Sequence, residues 1–250
     1  MTIALFDPYG SSCPESGFLT VLARYLQQRG FSLTSLRCSG ILTACAKLEK
    51  IKVRSALTCL DCMRENDKNM HWAEIPSIDI LPYLKCDDFL SLSQQTDKLS
   101  IQLLHTFTIE GVVIGEVISE QALSQFPPDR QVAVVLEAAR LIKAFSTLLR
   151  ERHFDGIFLP YGADLYIKSL ALTAVKRGVR LFQLRWIPER HVMEINGGGE
   201  ARTFYSELVF DQIDTLRSEV NSWPEEIRRR LEQVEEYLDI TQQQLSLPMS

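Results

Sequence analysis

No run of apolar residues in this 250-residue sequence approaches the roughly 20 that a membrane-spanning helix needs. Residues 132–135 and Gly156–Pro160 are among the longest apolar stretches. The amino terminus lacks a basic segment followed by an apolar one, so no secretory signal is read and a cytoplasmic location is expected. A dominant charge sign is also missing: 27 Lys and Arg stand against 32 Asp and Glu, a net −5. Global attraction to nucleic acid or an anionic membrane is thereby excluded. The one basic run, Arg228-Arg229-Arg230, is surrounded by acidic residues and reads as a solvated helix face.

Several catalytic and nucleotide signatures are absent as well. Gly10 and Gly17 are too far apart for a Gly-x-Gly-x-x-Gly turn, and no Lys-Ser/Thr follows them, so no dinucleotide or P-loop is inferred. There is no Ser-His-Asp order, His-Glu-x-x-His or EF-hand loop.

What is present is an alternation of buried strands and amphipathic helices. With 46% hydrophobic and 24% charged residues, the chain can bury a sizeable core without staples. Residues 2–6 are apolar and are followed by a Pro, Gly and Ser-rich break. Phe18, Val21, Leu22, Tyr25 and Leu26 then recur at helical spacing, Gly30 stops the helix, and 31–36 reads as a second strand. The same grammar returns with Val132, Val135, Leu136, Ala139, Ile142, Phe145 and Leu149 on a helix, a strand at 154–159, a helix at 165–177 stopped by Gly178, and a strand at 179–184. Two such units predict an α/β fold with a Rossmann-like parallel sheet, in which both contribute neighbouring parallel strands. The pattern predicts one domain over 1–240, with an irregular Cys-rich insertion at about 38–100. Residues 203–210 have mixed strand character, Pro224, Glu225 and Glu226 open a charged helix to about Leu238, and 241–250 reads as a frayed tail.

The insertion holds the most specific local signal: Cys38, Cys45 and a Cys59-Leu60-Asp61-Cys62 pair. Four thiolates satisfy the tetrahedral preference of zinc, and a Cys-x-x-Cys pair can wrap the ion through a tight turn, making a structural site. Plain burial of free thiols is the alternative reading.

The second candidate is the loop at 7–17, with Asp7, Gly10 and Gly17, at the carboxyl end of the first strand where ligands bind in doubly wound sheets. Its counterpart in the second unit holds Tyr161, Gly162 and Asp164. Glycines admit backbone to a ligand, and Asp7 and Asp164 could accept from ligand hydroxyls. Both loops also read as ordinary strand-to-helix turns. Glu116, after Gly111 and Gly115 and before a helix predicted at 117–126, is a candidate catalytic base, although carboxylates at helix starts also serve the dipole. Arg185, Arg190 and His191, after the last strand of the second unit, could bind a phosphate or carboxylate, or make routine surface salt links.

Three stretches in order, Cys38-Ser39-Gly40 with Cys45 and Cys59-x-x-Cys62, then Gly111-x-x-Ile114-Gly115-Glu116, then the strand-helix-strand at 154–184, resemble the amino-terminal half of bacterial surface- and capsular-polysaccharide glycosyltransferases of the two-Rossmann (GT-B) type. In place of an Asn-Gly-Arg-like turn after the Ile157 strand, this sequence has Tyr161-Gly162-Ala163. The resemblance implies a domain that receives a glycan or glycolipid acceptor, with a donor-binding domain supplied elsewhere, on a partner protein if not on this chain. A non-catalytic, metal-stapled interaction module that kept the fold is the alternative from a different class.

Overall fold

The structure is a computed structural model that describes residues 1–8, 14–38, 56–84, 106–162, 164–190, 192–197, 202–205 and 220–246. In chain order the elements are β1 (Thr2–Phe6), α1 (Pro14–Gln28), β2 (Ser32–Arg37), α2 (Ala56–Trp72), β3 (Ser77–Asp79), β4 (Thr108–Ile109), β5 (Val112–Val113), α3 (Ile114–Val117) and α4 (Glu120–Leu123). They continue with α5 (Pro128–Glu151), β6 (Gly156–Pro160), α6 (Leu165–Lys176), β7 (Arg180–Ile187), β8 (Val192–Asn196), β9 (Arg202–Tyr205) and α7 (Glu225–Ser246).

Among the described residues, seven strands form one sheet in the order β3-β2-β1-β6-β7-β8-β9, and β4 and β5 form a separate hairpin. The neighbours from β3 to β7 run parallel, as the two strand-helix-strand units require, and β1 pairs directly with β6. The sheet is not parallel throughout. β7 and β8 pair antiparallel from Ile187 and Val192, because the short connection between them is a hairpin and too brief for a crossover.

Alternation along the strands divides the core. Ile3, Leu5, Phe158, Phe182 and Leu184 face α1 and α7, where they meet Leu19, Leu22, Leu26, Leu231 and Val234. Phe6, Ile157 and Leu159 face α5 and α6, where they meet Val135, Ile142, Phe145 and Leu170. Helices on both faces are what a sheet with fully buried strands such as β6 demands. α1 ends as its sequence predicts: Gly30 takes φ +88°, and Phe31 N donates to Leu26 O at 3.0 Å, closing the last turn.

Three sequence expectations change. The insertion at about 38–100 is not irregular over its described part: α2 and β3 lie within it and form a regular β2-α2-β3 crossover into the main sheet. Polar side chains on one side of α2 masked a helical stripe in which, among the described side chains, only Met70 and Asn66 are fully buried. The helix expected at 117–126 is two single turns, α3 and α4, with Ser119 Oγ capping the second by accepting from Ala122 N at 3.2 Å. Finally, α7 continues to Ser246 past the predicted fraying point, since 241–246 holds neither Gly nor Pro and the first breaker is Pro248. Of the segment at 203–210, Thr203 to Tyr205 belong to β9 and the remainder lies outside the described residues.

The β4–β5 hairpin is pinned by a residue in a left-handed conformation, Glu110, at φ +50°. Its carboxylate accepts from Ser146 Oγ at 2.8 Å on α5 and from Arg177 Nη2 at 2.7 Å after α6, with Lys143 Nζ at 3.4 Å. The Ser146 hydrogen bond, with Lys143 and Arg177, holds the carboxyl below the ordinary glutamate range. A carboxylate whose folded pKa is depressed adds stability above its unfolded pKa and loses it as pH falls through the folded one. Glu110→Gln is therefore expected to melt at a lower temperature than the parent at pH 7. The gap should narrow as the pH drops below the glutamate range, which thermal melts at a series of pH values would show.

Candidate ligand crevice at the strand-order reversal

Strand order reverses between β1 and β6: β1 leads through α1 to β2 on one side, and β6 leads through α6 to β7 on the other. α1 and α6 cover opposite faces, so the segments leaving β1 and β6 part from each other and leave a crevice at the carboxyl edge. Leu5 pairs with Phe158 in register. Two residues further on, Asp7 and Pro160 leave side by side on strands about 4.8 Å apart.

The β1 exit is held from α2. Asn66 Nδ2 donates to Asp7 O at 3.0 Å, and one turn earlier Cys62 Sγ reaches Pro8 O at 3.7 Å. Residues four apart lie on one helix face, so α2 grips two successive carbonyls of the exit. Asp7 itself is 3% exposed and Asn66 4%. Asn66 is a residue that the sequence reading missed. The signal, a Cys62/Asn66 pair at helical spacing, becomes legible only once α2 is recognised as a helix.

The β6 exit carries more exposed groups. Tyr161 N donates to Leu184 O at 2.5 Å, which ties the exit to β7, while the Tyr161 ring is 59% exposed. The Arg185 guanidinium lies 5.2 Å from that ring's centroid. A Cβ on Gly162 would stand 2.8 Å from Ile167 Cδ1 and 3.2 Å from Asp164 Oδ2, so this glycine allows the turn to fold against its own helix. Asp164 caps α6: its Oδ1 accepts from Tyr166 N at 2.9 Å and Ile167 N at 3.0 Å. Beneath, the Tyr166 ring packs on Phe6 at 5.1 Å and Phe145 at 5.7 Å. On the other face Glu15, in the first turn of α1, accepts from Trp186 N at 3.0 Å and so bridges the reversal point from α1 to β7.

Of the candidate residues, Asp7, Tyr161, Gly162 and Asp164 lie at this one edge, together with Glu15, Asn66 and Arg185. Gly17 is displaced from the predicted loop: α1 begins at Pro14, favoured at a first helical position, so Gly17 sits inside the helix. Gly10 lies outside the described residues. Glu116 is exposed on α3, whose buried Ile114 and Val117 pack in the α5–α6 core, and no described contact links it to the crevice.

Cys59 and Cys62 are on α2, one helical turn apart, and not in the tight turn predicted for them, while Cys38 follows β2. None of these three is in a disulfide, and Cys45 lies outside the described residues. Among the described residues no three His, Cys, Asp or Glu side chains group as a metal ion would need. No helix among them is long and apolar enough to cross a membrane.

Asp164 makes a clean test of capping against ligand contact. Asp164→Ala is expected to cost about 1 kcal/mol of stability, and Asp164→Asn much less, since an Asn oxygen also caps. Chemical denaturation of both variants reads this directly. Equal losses would show that the carboxylate charge, and not the cap, is what the fold uses.

No family model matches the chain, and no curated protein matches it. Among solved structures, the chain is similar to a CDPS from Fluoribacter dumoffii at 14% identity and TM-score 0.41, covering 74% of this chain and 89% of that one. It is also similar to the tryptophanyl-tRNA synthetase of Plasmodium falciparum at 13% identity and TM-score 0.39, covering 76% of this chain and 51% of that one. A third similarity is to the tryptophanyl-tRNA synthetase of the archaeon Aeropyrum pernix, at 15% identity and TM-score 0.35, covering 70% and 42%.

Proposed function

We propose that this chain is a glycosyltransferase-like module that receives a glycan or glycolipid acceptor in the crevice between the β1 and β6 exits. The observation that carries the reading is the adjacency of those exits at the reversal of strand order: the buried Asp7 lies level with Pro160, the residue before the exposed Tyr161. The chemistry of the two side chains suits a sugar. A carboxylate accepts from hydroxyl donors, and an aromatic face packs against the C–H face of a pyranose. Backbone at Gly162 is close to the turn, where a bulkier residue would push Ile167 aside.

Sugar transfer requires a donor held against the acceptor in a reactive geometry. In this reading a nucleotide-sugar-binding domain, on this protein or a partner, supplies the donor across the open side of the crevice. The order of motifs along 38–184 that resembles polysaccharide glycosyltransferases supports the same assignment.

Tyr161→Ala is the direct test, because its exposed ring contributes little to the core. Binding of the full chain to a glycan array, followed by titration of the best glycan, is expected to weaken about 3- to 10-fold, the equivalent of roughly 0.5–1.5 kcal/mol of ring contact. The melting temperature should not move. A parent protein that retains no glycan, or a variant that binds as the parent does, would overturn the reading.

A further inference from the structure

Two arginines at the carboxyl edge remain outside the acceptor contacts just described. Arg185 is the sixth residue of β7, and Arg190 closes the short 3-10 turn Pro188–Arg190 that follows it. Both side chains are exposed, and neither guanidinium has an ion-pair partner among the described residues. For Arg185 this is informative, because an acid is available. Glu194 stands directly opposite it in the β7–β8 ladder, close enough for a cross-strand pair. The guanidinium instead lies over the Tyr161 ring, on the crevice side. Glu189 is the other nearby acid, and it is exposed on the same turn as Arg190.

The carboxylates at the edge are held by donors other than these guanidiniums. Asp164 Oδ1 is engaged by two α6 amides, and Glu15 Oε1 by Trp186 N. Asp7 is buried on the α1 side of the sheet, in line with Leu5, whereas Arg185 lies on the α6 side. The Asp7 carboxylate and the Arg185 guanidinium therefore flank the crevice from opposite faces.

We propose that the ligand bound at this crevice carries an anionic group, a carboxylate or a phosphate, which Arg185 and Arg190 neutralise. The inference rests on the saccharide reading above and narrows it to an acidic or phosphorylated sugar. An arginine fork matches both anions, and an aromatic ring beneath the guanidinium holds it flat without competing for its donors.

The test titrates the full chain with glucose, glucuronic acid, glucose phosphate and inorganic phosphate, followed by NMR chemical shifts. At least one acidic sugar is expected to bind about tenfold tighter than glucose, the scale of one charge-assisted hydrogen bond. Which one does so separates carboxylate from phosphate. Arg185→Gln with Arg190→Gln should remove that preference, as should about 1 M NaCl, where the Debye length is about 3 Å. Glucose binding as tightly as the acids overturns the inference and leaves the saccharide reading standing. Inorganic phosphate binding as tightly as glucose phosphate, and lost in the double variant, supports the anion site and sinks the saccharide. Preference retained in the double variant, or no acid bound at all, overturns the inference.

Discussion

The direct pairing of β1 with β6 is the constraint from which the rest of this molecule follows. Each strand is the start of a crossover to a parallel neighbour, and the two crossovers run away from each other along the sheet. Helices α1 and α6 must then cover opposite faces, which forces the exits of β1 and β6 apart at the carboxyl edge. The crevice is a product of connectivity, and side-chain chemistry decides only what it holds.

Given that crevice, its lining is set by how each exit is tethered. The β1 exit is gripped through main-chain carbonyls, by Asn66 on Asp7 O and Cys62 on Pro8 O, so its position depends on α2, an element far away in sequence. The β6 exit is tethered by Tyr161 N to Leu184 O and by the Asp164 cap, both local. A change on α2 would accordingly move Asp7 without touching Tyr161. Substitutions near Ile167 act in the opposite sense, through Gly162.

Much of the scaffold was legible in the sequence because its signals are local. Gly30 and Gly178 mark helix ends, the apolar stripe from Val132 to Leu149 marks α5, and the two repeated units require parallel strands. The two exit loops could be placed for the same reason, since any parallel sheet sends strand ends to one edge. What stayed illegible depends on partners distant in the chain. α2 buries little, so its polar sequence looked irregular, and Asn66 with it. Asp164 read as a ligand contact, although its spacing before Tyr166 and Ile167 is also that of a helix cap. Glu116 read as a base next to two glycines, and those glycines serve a hairpin and a single-turn helix.

The two edges of the sheet differ in a way that bears on where chemistry can occur. At the amino edge, Asp155, immediately before β6, ties down the starts of two neighbouring strands: its Oδ2 accepts from Thr2 N at 2.6 Å at the head of β1, and its carbonyl from Arg180 Nε at 3.2 Å at the head of β7. Glu110 fastens the hairpin to α5 and to the turn after α6 close by. These charged groups spend their hydrogen-bonding capacity on the fold. At the carboxyl edge the Tyr161 ring is open to solvent and the Arg185 and Arg190 side chains carry charge without an ion pair among the described residues. An edge whose charged groups are tied into the fold, opposite one with exposed aromatic and cationic groups, is the division that binding at strand ends requires: the first fixes the strands, and the second is left able to exchange water for a ligand.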